Sequence, residues 1–388
     1  MSHKVILPGA TLGVMGGGQL GRMFVQAAQS MGYFTAVLDA DPTSPAGLVA
    51  HYHIEADYLD EQGLAQLMQR SEAITTEFEN VPAGALVTLG AHRPVAPGAD
   101  AVAVCQDRAA EKAQFRRCGV PCAPHALIDT PERLAAVTDD LLPGILKTAR
   151  LGYDGKGQIR VTDRAALAAA WGQLGQVPCV LEKMLPLALE ISVVVARNAW
   201  GDVVRLPVQQ NLHRDGILAV TQVPAPDASP ALQQQAADAA ARVAESLGYV
   251  GVLCVEFFVL ADGSLVANEM APRPHNSGHW SIDGSDVSQF ELQVRTLTDM
   301  PLVAPRQHSP SVMLNLLGDL WFAPGSDREK APDWGRVLAL PGVHLHLYGK
   351  TSARKGRKMG HLTVTATTAE QARATALAAA DILGLPGF

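Results

Sequence analysis

The chain has 388 residues, 48% hydrophobic and 18% charged, the composition of a well-packed globular protein long enough for two or three domains. A net charge of −7 argues against broad binding to nucleic acid or anionic membranes, though a local basic pocket remains open. No apolar run approaches the ~20 residues that span a bilayer, and the five cysteines (Cys105, Cys118, Cys122, Cys179, Cys254) show no disulfide framework or C-x-x-C zinc pair.

The first hundred residues alternate short apolar runs with helical patterns. LGVMG, a helix over about 19–31, TAVLD, a helix over about 61–70 and AITTEF predict βαβ units on a parallel sheet. In GVMGGGQLGR (13–22), Gly16, Gly18 and Gly21 take the G-x-G-x-x-G spacing, and Asp39 closes the next apolar run. That spacing predicts a phosphate-holding turn at a helix N-terminus and raises a dinucleotide reading. No signal-peptide pattern precedes it, so a cytoplasmic location is expected. GAHRPVAPGAD marks a boundary, placing a first domain at 1–106.

A helix is expected over about 107–117, then the strands GILKTA, QIRVT and CVLEKM with a helix from about 163 between the last two. EISVVVAR, DVVRLPVQQN and GILAV read as antiparallel strands, and an Ala-rich helix over about 230–247 leads into VGVLCVEFFVL and SLVANEM. MPLVAPRQHSP is a second linker, dividing a middle domain at 107–303 from a small one at 304–388 with strands near 311–317 and 344–347.

Four features of the middle domain carry chemistry. Lys147 sits inside an apolar strand, which needs a partner for its ammonium; a structural salt bridge answers that need as well as a ligand does. GYDGKGQ (152–158) follows, with three glycines whose amides can approach phosphates, although hairpins are often as glycine-rich. Glu256 and Glu269 lie in successive strands around an ADGS turn, where facing carboxylates suit Mg²⁺ or form a purely structural pair. APRPHNSGH (271–279) then crowds Arg273, His275 and Asn276 beside them, a donor-dense loop suited to an oxyanion.

Strand lysine, glycine loop, hinge strand and paired carboxylates, in that order over about 107–280, resemble the ATP-grasp superfamily. GGGQLGRM, TTEFENVP, GYDGKGQ, APRPHNSGHW and GKTSARKGRKMGH further resemble its N5-carboxyaminoimidazole ribonucleotide synthase family, across nearly the whole chain. The resemblance implies an α/β and α+β multidomain protein. It would have a Rossmann-like N-terminal domain, an ATP-grasp centre with a mobile lid at about 118–185, and a small β-rich C-terminal domain. It implies an ATP-dependent carbon–nitrogen ligase, forming ADP and carboxylating the exocyclic amine of 5-aminoimidazole ribonucleotide through carboxyphosphate in purine biosynthesis.

By the same resemblance, ATP would meet Arg108, Lys147, Gly152, Tyr153, Asp154, Gly155, Lys156, Gly157, Gln158, the hinge Glu182, Lys183, Met184 and Leu185, then Glu190, His213, Asn268 and Glu269. Glu256 and Glu269 would hold Mg²⁺, two ions with ATP. Arg273, His275 and Asn276 would act on bicarbonate and carboxyphosphate. The ribonucleotide would meet Gly18, Gln19, Leu20, Glu77, Glu79, Tyr153 and Asp154, with its phosphate on Lys350 and Arg357 of the basic run; the other reading of that run is a solvated loop. Asp39 then has no site role. A homodimer that passes its product to a mutase is implied. Three competitors stand beside this reading: a formate-dependent glycinamide ribonucleotide transformylase of the same architecture, an NAD(P)-binding oxidoreductase, and a non-catalytic nucleotide-binding protein. The oxidoreductase leaves Lys147, Glu256, Glu269 and the glycine loop unexplained.

Overall fold

The computed structural model describes residues 5–152, 157–323, 325 and 328–388. Four short strands, β1 (Thr11–Met15), β2 (Phe34–Leu38), β3 (Tyr52–Ile54) and β4 (Ala73–Thr76), form a parallel sheet in the order β3-β2-β1-β4. Strands β1 and β4 and all of β2 after Phe34 are almost wholly buried, as apolar runs in a parallel sheet should be, while the edge strand β3 is largely open. The order reverses between β1 and β4, and in such sheets the crevice at the carboxyl ends of those strands is where ligands bind. The glycine turn leaves β1 there, and the helix Gln19–Ser30 starts from it.

A second sheet contains β5 (His125–Ile128), β6 (Gly144–Thr148), β7 (Gln158–Val161) and β8 (Cys179–Lys183), antiparallel in the order β5-β8-β6-β7. It has its own core, in which Leu146, Val161, Leu167, Trp171 and Leu181 are all buried. Its strands fall within the stretch 118–185 expected as a lid. Tyr153, Asp154, Gly155 and Lys156 lie outside the described residues.

The third sheet holds β9 (Leu187–Arg197), β10 (Val203–Arg205), β11 (Gln209–Arg214), β12 (Ile217–Val223), β13 (Gly251–Leu260), β14 (Leu265–Ala271), β15 (Ser311–Leu317), β16 (Val343–Leu347) and β17 (Lys358–Thr365). Its path is β14-β13-β9-β11-β12-β15-β17-β16, with β10 beside β9. The helix Pro230–Ser246 covers one face, turning Ala236, Ala239, Ala240, Val243 and Ala244 into the main core. The small side chains let the helix approach the strands closely.

Two expectations change. DVVRLPVQQN is two strands rather than one, broken at Pro207, which has no N–H for the ladder. The C-terminal strands do not make a sheet of their own: β15 pairs with β12, with Val220 opposite Leu314, so they extend the middle domain's sheet. A helix at Ala369–Leu383 also went unread, although its signals are present. Thr368 accepts the Gln371 N–H at 3.2 Å, and Gly384 closes the helix at φ +71°.

Candidate active site

One cleft of about 690 Å³ collects residues from all three parts of the chain. Gly18, Gln19, Leu20, Glu77, Glu79, Arg108, Gly152, Glu256, Glu269, Arg273, His275, Asn276, Lys350 and Arg357 all line it. The opening turn and the basic run, more than three hundred residues apart, therefore share one surface.

The turn's donors are largely taken. Gly17 N–H donates to Asp39 Oδ2 at 2.7 Å, and Gly18 and Gly21 N–H donate to the Glu77 carboxylate at 3.0 and 3.2 Å. Three amides that a pyrophosphate would need are thus held by the chain's own carboxylates, which removes the ground for the dinucleotide reading. Asp39 is no ordinary strand-end residue; it ties the turn down. Glu77, expected at the substrate, lines the cleft and also occupies the helix N-terminus, where a negative charge is favoured. A Cβ on Gly18 would lie 2.7 Å from Glu77 Oε1, so a larger residue there would have to displace this carboxylate. Gln19 and Leu20 remain at the cleft wall.

Glu79 also has a partner within the chain. Its carboxylate pairs with Nε and Nη2 of Arg273, and Arg273 Nη1 donates to the Pro274 carbonyl at 3.1 Å. Both groups are buried enough that an unpaired charge would be costly, so Glu79 orients Arg273 at the cleft wall. Asn276 is different: it is 9% exposed and neither polar atom of its side chain has a partner. Unsatisfied buried amides call for a ligand. His275 Nδ1 lies 2.9 Å from Ser277 Oγ, and its Nε2 lies 3.5 Å from Glu256 Oε1. Burial, then the Arg273 charge, keeps that imidazole neutral.

Glu256 and Glu269 face each other in register across β13 and β14. Burial first, and then repulsion from Glu269, raise the Glu256 carboxyl to about 7. Glu269 is instead held below the usual range: burial opposes ionisation most strongly, but Arg108, 3.2 Å away, together with Lys147 and Lys112 overcomes it. Glu256 Oε1 has no hydrogen-bond partner, and neither does the buried Oδ1 of Asn268 next to Glu269. An unsatisfied carboxylate oxygen and an unsatisfied amide oxygen beside a second carboxylate fit a hard divalent cation.

Lys147 and Glu182 meet at 3.0 Å, and the sequence missed the third member, Lys112, 3.3 Å from the other Glu182 oxygen. Lys112 Nζ also donates to the Asn268 carbonyl at 2.7 Å and is wholly buried. Burial works against the Glu182 anion, yet Lys147 and then Lys112 hold its carboxyl down at about 2. The cluster joins the lid sheet to the helix Arg108–Arg117 of the body. A signal was present: Arg108, Glu111, Lys112 and Phe115 fall at i, i+3, i+4 and i+7, a core-facing stripe built partly of charges.

The hinge is partly engaged, with Lys183 N–H on the Pro124 carbonyl at 2.9 Å and Met184 N–H on that of Pro143 at 3.0 Å. The Leu185 carbonyl in turn accepts the Leu187 N–H at 2.9 Å. Glu190 is in contact with His213, and it opens onto a second cleft of about 890 Å³. Gly157 follows the glycine loop at φ +71° and Gln158 begins β7, outside the lining of the first cleft.

A parallel N-terminal sheet, a two-sheet nucleotide clamp with a lysine on one side and paired glutamates on the other, and a charged loop beneath define an ATP-grasp protein. The chain matches family models described as the ribonucleotide synthetase preATP-grasp domain (residues 9–106), the ATP-grasp domain (113–290) and the phosphoribosylaminoimidazole carboxylase C-terminal domain (311–375). It is 44% identical over 370 residues to the N5-carboxyaminoimidazole ribonucleotide synthase of Brucella melitensis, covering 94% of this chain and 98% of that one. Among solved structures, the ADP complex of an N5-carboxyaminoimidazole ribonucleotide synthetase superposes with a TM-score of 0.91 at 38% identity, covering 99% of both chains. The Aspergillus clavatus N5-carboxyaminoimidazole synthase in complex with ADP and 5-aminoimidazole ribonucleotide gives 0.87 at 31% identity, covering 99% of this chain and 100% of that one. The chain belongs to the N5-carboxyaminoimidazole ribonucleotide synthase family of ATP-grasp ligases.

Proposed function

We propose that the protein carboxylates the exocyclic amine of 5-aminoimidazole ribonucleotide with bicarbonate and ATP, releasing ADP and phosphate. The observation that carries this reading is the single cleft in which Asn276, the paired glutamates, the opening turn and the basic run converge.

ATP lies between the lid sheet and the large sheet, with its phosphates near Lys147 and Arg108. Mg²⁺ bound by Glu256 and Glu269 would neutralise charge on the transferring phosphoryl group. Arg273, oriented by Glu79, and Asn276 hold bicarbonate, whose oxygen attacks the γ-phosphorus as ADP leaves. The amine of the ribonucleotide then attacks the carboxyl carbon of carboxyphosphate, or CO₂ released from it, and phosphate departs. Neutral His275, between Ser277 and Glu256, is placed to take the proton the amine loses. Water would destroy carboxyphosphate, so closure of the lid belongs to the reaction. Lys350 and Arg357 hold the ribonucleotide phosphate beside Gln19 and Leu20. The protein is read as a cytoplasmic homodimer whose product goes to a mutase.

ADP release should require Mg²⁺, bicarbonate and aminoimidazole ribonucleotide together. Stimulation by formate with glycinamide ribonucleotide would move the assignment to the transformylase. Arg357→Ala should weaken apparent ribonucleotide affinity roughly ten- to a hundredfold, since a charge-assisted contact is worth about 1.5–3 kcal/mol. ATP affinity measured without ribonucleotide should stay within about twofold, a small fraction of one such contact. Loss of ATP affinity instead would detach the basic run from the ribonucleotide.

A further inference from the structure

Among the described residues, one group of metal-ligating side chains stands apart from the paired glutamates: Asp283, His346 and His361. The two histidines are direct cross-strand partners on β16 and β17, so they share one face of the sheet. Their rings stack at 4.5 Å with an interplanar angle of 12°. Asp283 comes from the short helix Ser281–Gly284, which follows the loop carrying Arg273 and Asn276, and its Oδ2 lies 2.8 Å from His346 Nε2. One ligating atom from each of the three side chains lies within 4.8 Å of the other two.

His361 is wholly buried and its Nε2 has no partner, while Tyr348 Oη lies 3.0 Å from its Nδ1. A histidine whose one nitrogen is held by an outer group and whose other nitrogen is unsatisfied has the arrangement of a metal ligand. The carboxylate is supported as well, since His344 Nδ1 approaches Asp283 Oδ1 at 3.7 Å.

We propose that Asp283, His346 and His361 form a binding site for Zn²⁺ or a similar nitrogen-seeking divalent ion, tying β16 and β17 to the helix Ser281–Gly284. Two imidazoles and one carboxylate are a donor set that favours zinc over magnesium, leaving a fourth position for water on the side of half-exposed His346. Bond lengths of about 2.0–2.2 Å would draw the three ligating atoms to roughly 3.3 Å from one another, within reach of small side-chain rotations. The ion would replace the proton between His346 and Asp283. It would lie one ring from the cleft, because His279, a lining residue, is 4.9 Å from the His361 ring. It would therefore brace the loop that holds bicarbonate without touching substrate.

The test is Zn²⁺ titration of chelator-stripped full-length protein against a chromophoric competitor, with Co²⁺ absorption as a report on geometry. The expected result is one tight site per chain that survives Glu256→Gln/Glu269→Gln, which removes the cleft carboxylates. His346→Ala, at a half-exposed strand position, should weaken the site at least about a hundredfold. His344→Ala, which removes only the outer partner, should weaken it about ten- to a hundredfold. Zinc should raise the thermal midpoint of the wild type and not of His346→Ala. No site at micromolar zinc, a site lost with the cleft glutamates, or one unchanged in His346→Ala would each overturn the proposal.

Discussion

Replacing Glu269 with Gln is expected to lower turnover by about a hundredfold or more while leaving the fold intact. A bound cation contributes several kcal/mol of charge stabilisation to the transferring phosphoryl group, and about 1.4 kcal/mol is tenfold in rate. Gln keeps the volume but removes one of two facing charges, so the register pairing with Glu256 survives while the cation loses a ligand. Arg108 loses a partner at 3.2 Å, but Glu111 remains on the same helix to compensate it. Single-turnover ADP formation across a Mg²⁺ titration reads the effect directly. Near-wild-type turnover at every Mg²⁺ concentration would make Glu269 a purely structural carboxylate.

Glu182→Gln is expected to destabilise the protein by about 3–5 kcal/mol at pH 7, the usual cost of stripping a buried ion from its partner. Lys112 is wholly buried, and Glu182 is the carboxylate that neutralises both it and Lys147. The effect depends on pH with a definite sign. The Glu182 carboxyl titrates at about 2 in the folded state against 4.5 ordinarily, so its stabilising contribution is complete above pH 4.5. It is lost as pH falls towards 2, and the gap between wild type and variant should close over that interval. Urea unfolding followed by the fluorescence of Trp171, buried in the lid core, measures it. A gap that is absent at pH 7, or constant from pH 5 to pH 2, would show that the three charges are not coupled in this way.

Much of the site could be read because its parts lie in short, dense motifs. Lys147, Glu256, Glu269 and the loop of Arg273, His275 and Asn276 all fall where the local pattern sets them: strand, strand, strand and loop. The hinge and the basic run needed family resemblance, since a backbone contact and a surface lysine have no distinctive local pattern. What stayed hidden was how the charges are shared. Resemblance alone pointed to Glu77 and Glu79, and no local pattern shows that one also occupies a helix N-terminus while the other holds an arginine 194 residues away.

Most elements and their chemistry were legible from local pattern, because hydrophobic period, glycine at positive φ and capping residues act over a few residues. Which donors remain for a ligand, the continuation of the large sheet through β15, β16 and β17, and the place of Lys112 beside the Lys147–Glu182 pair emerge only from the fold. Those outcomes turn on partners tens to hundreds of residues distant, where burial makes an unpaired charge costly and packing, rather than local pattern, selects the partner.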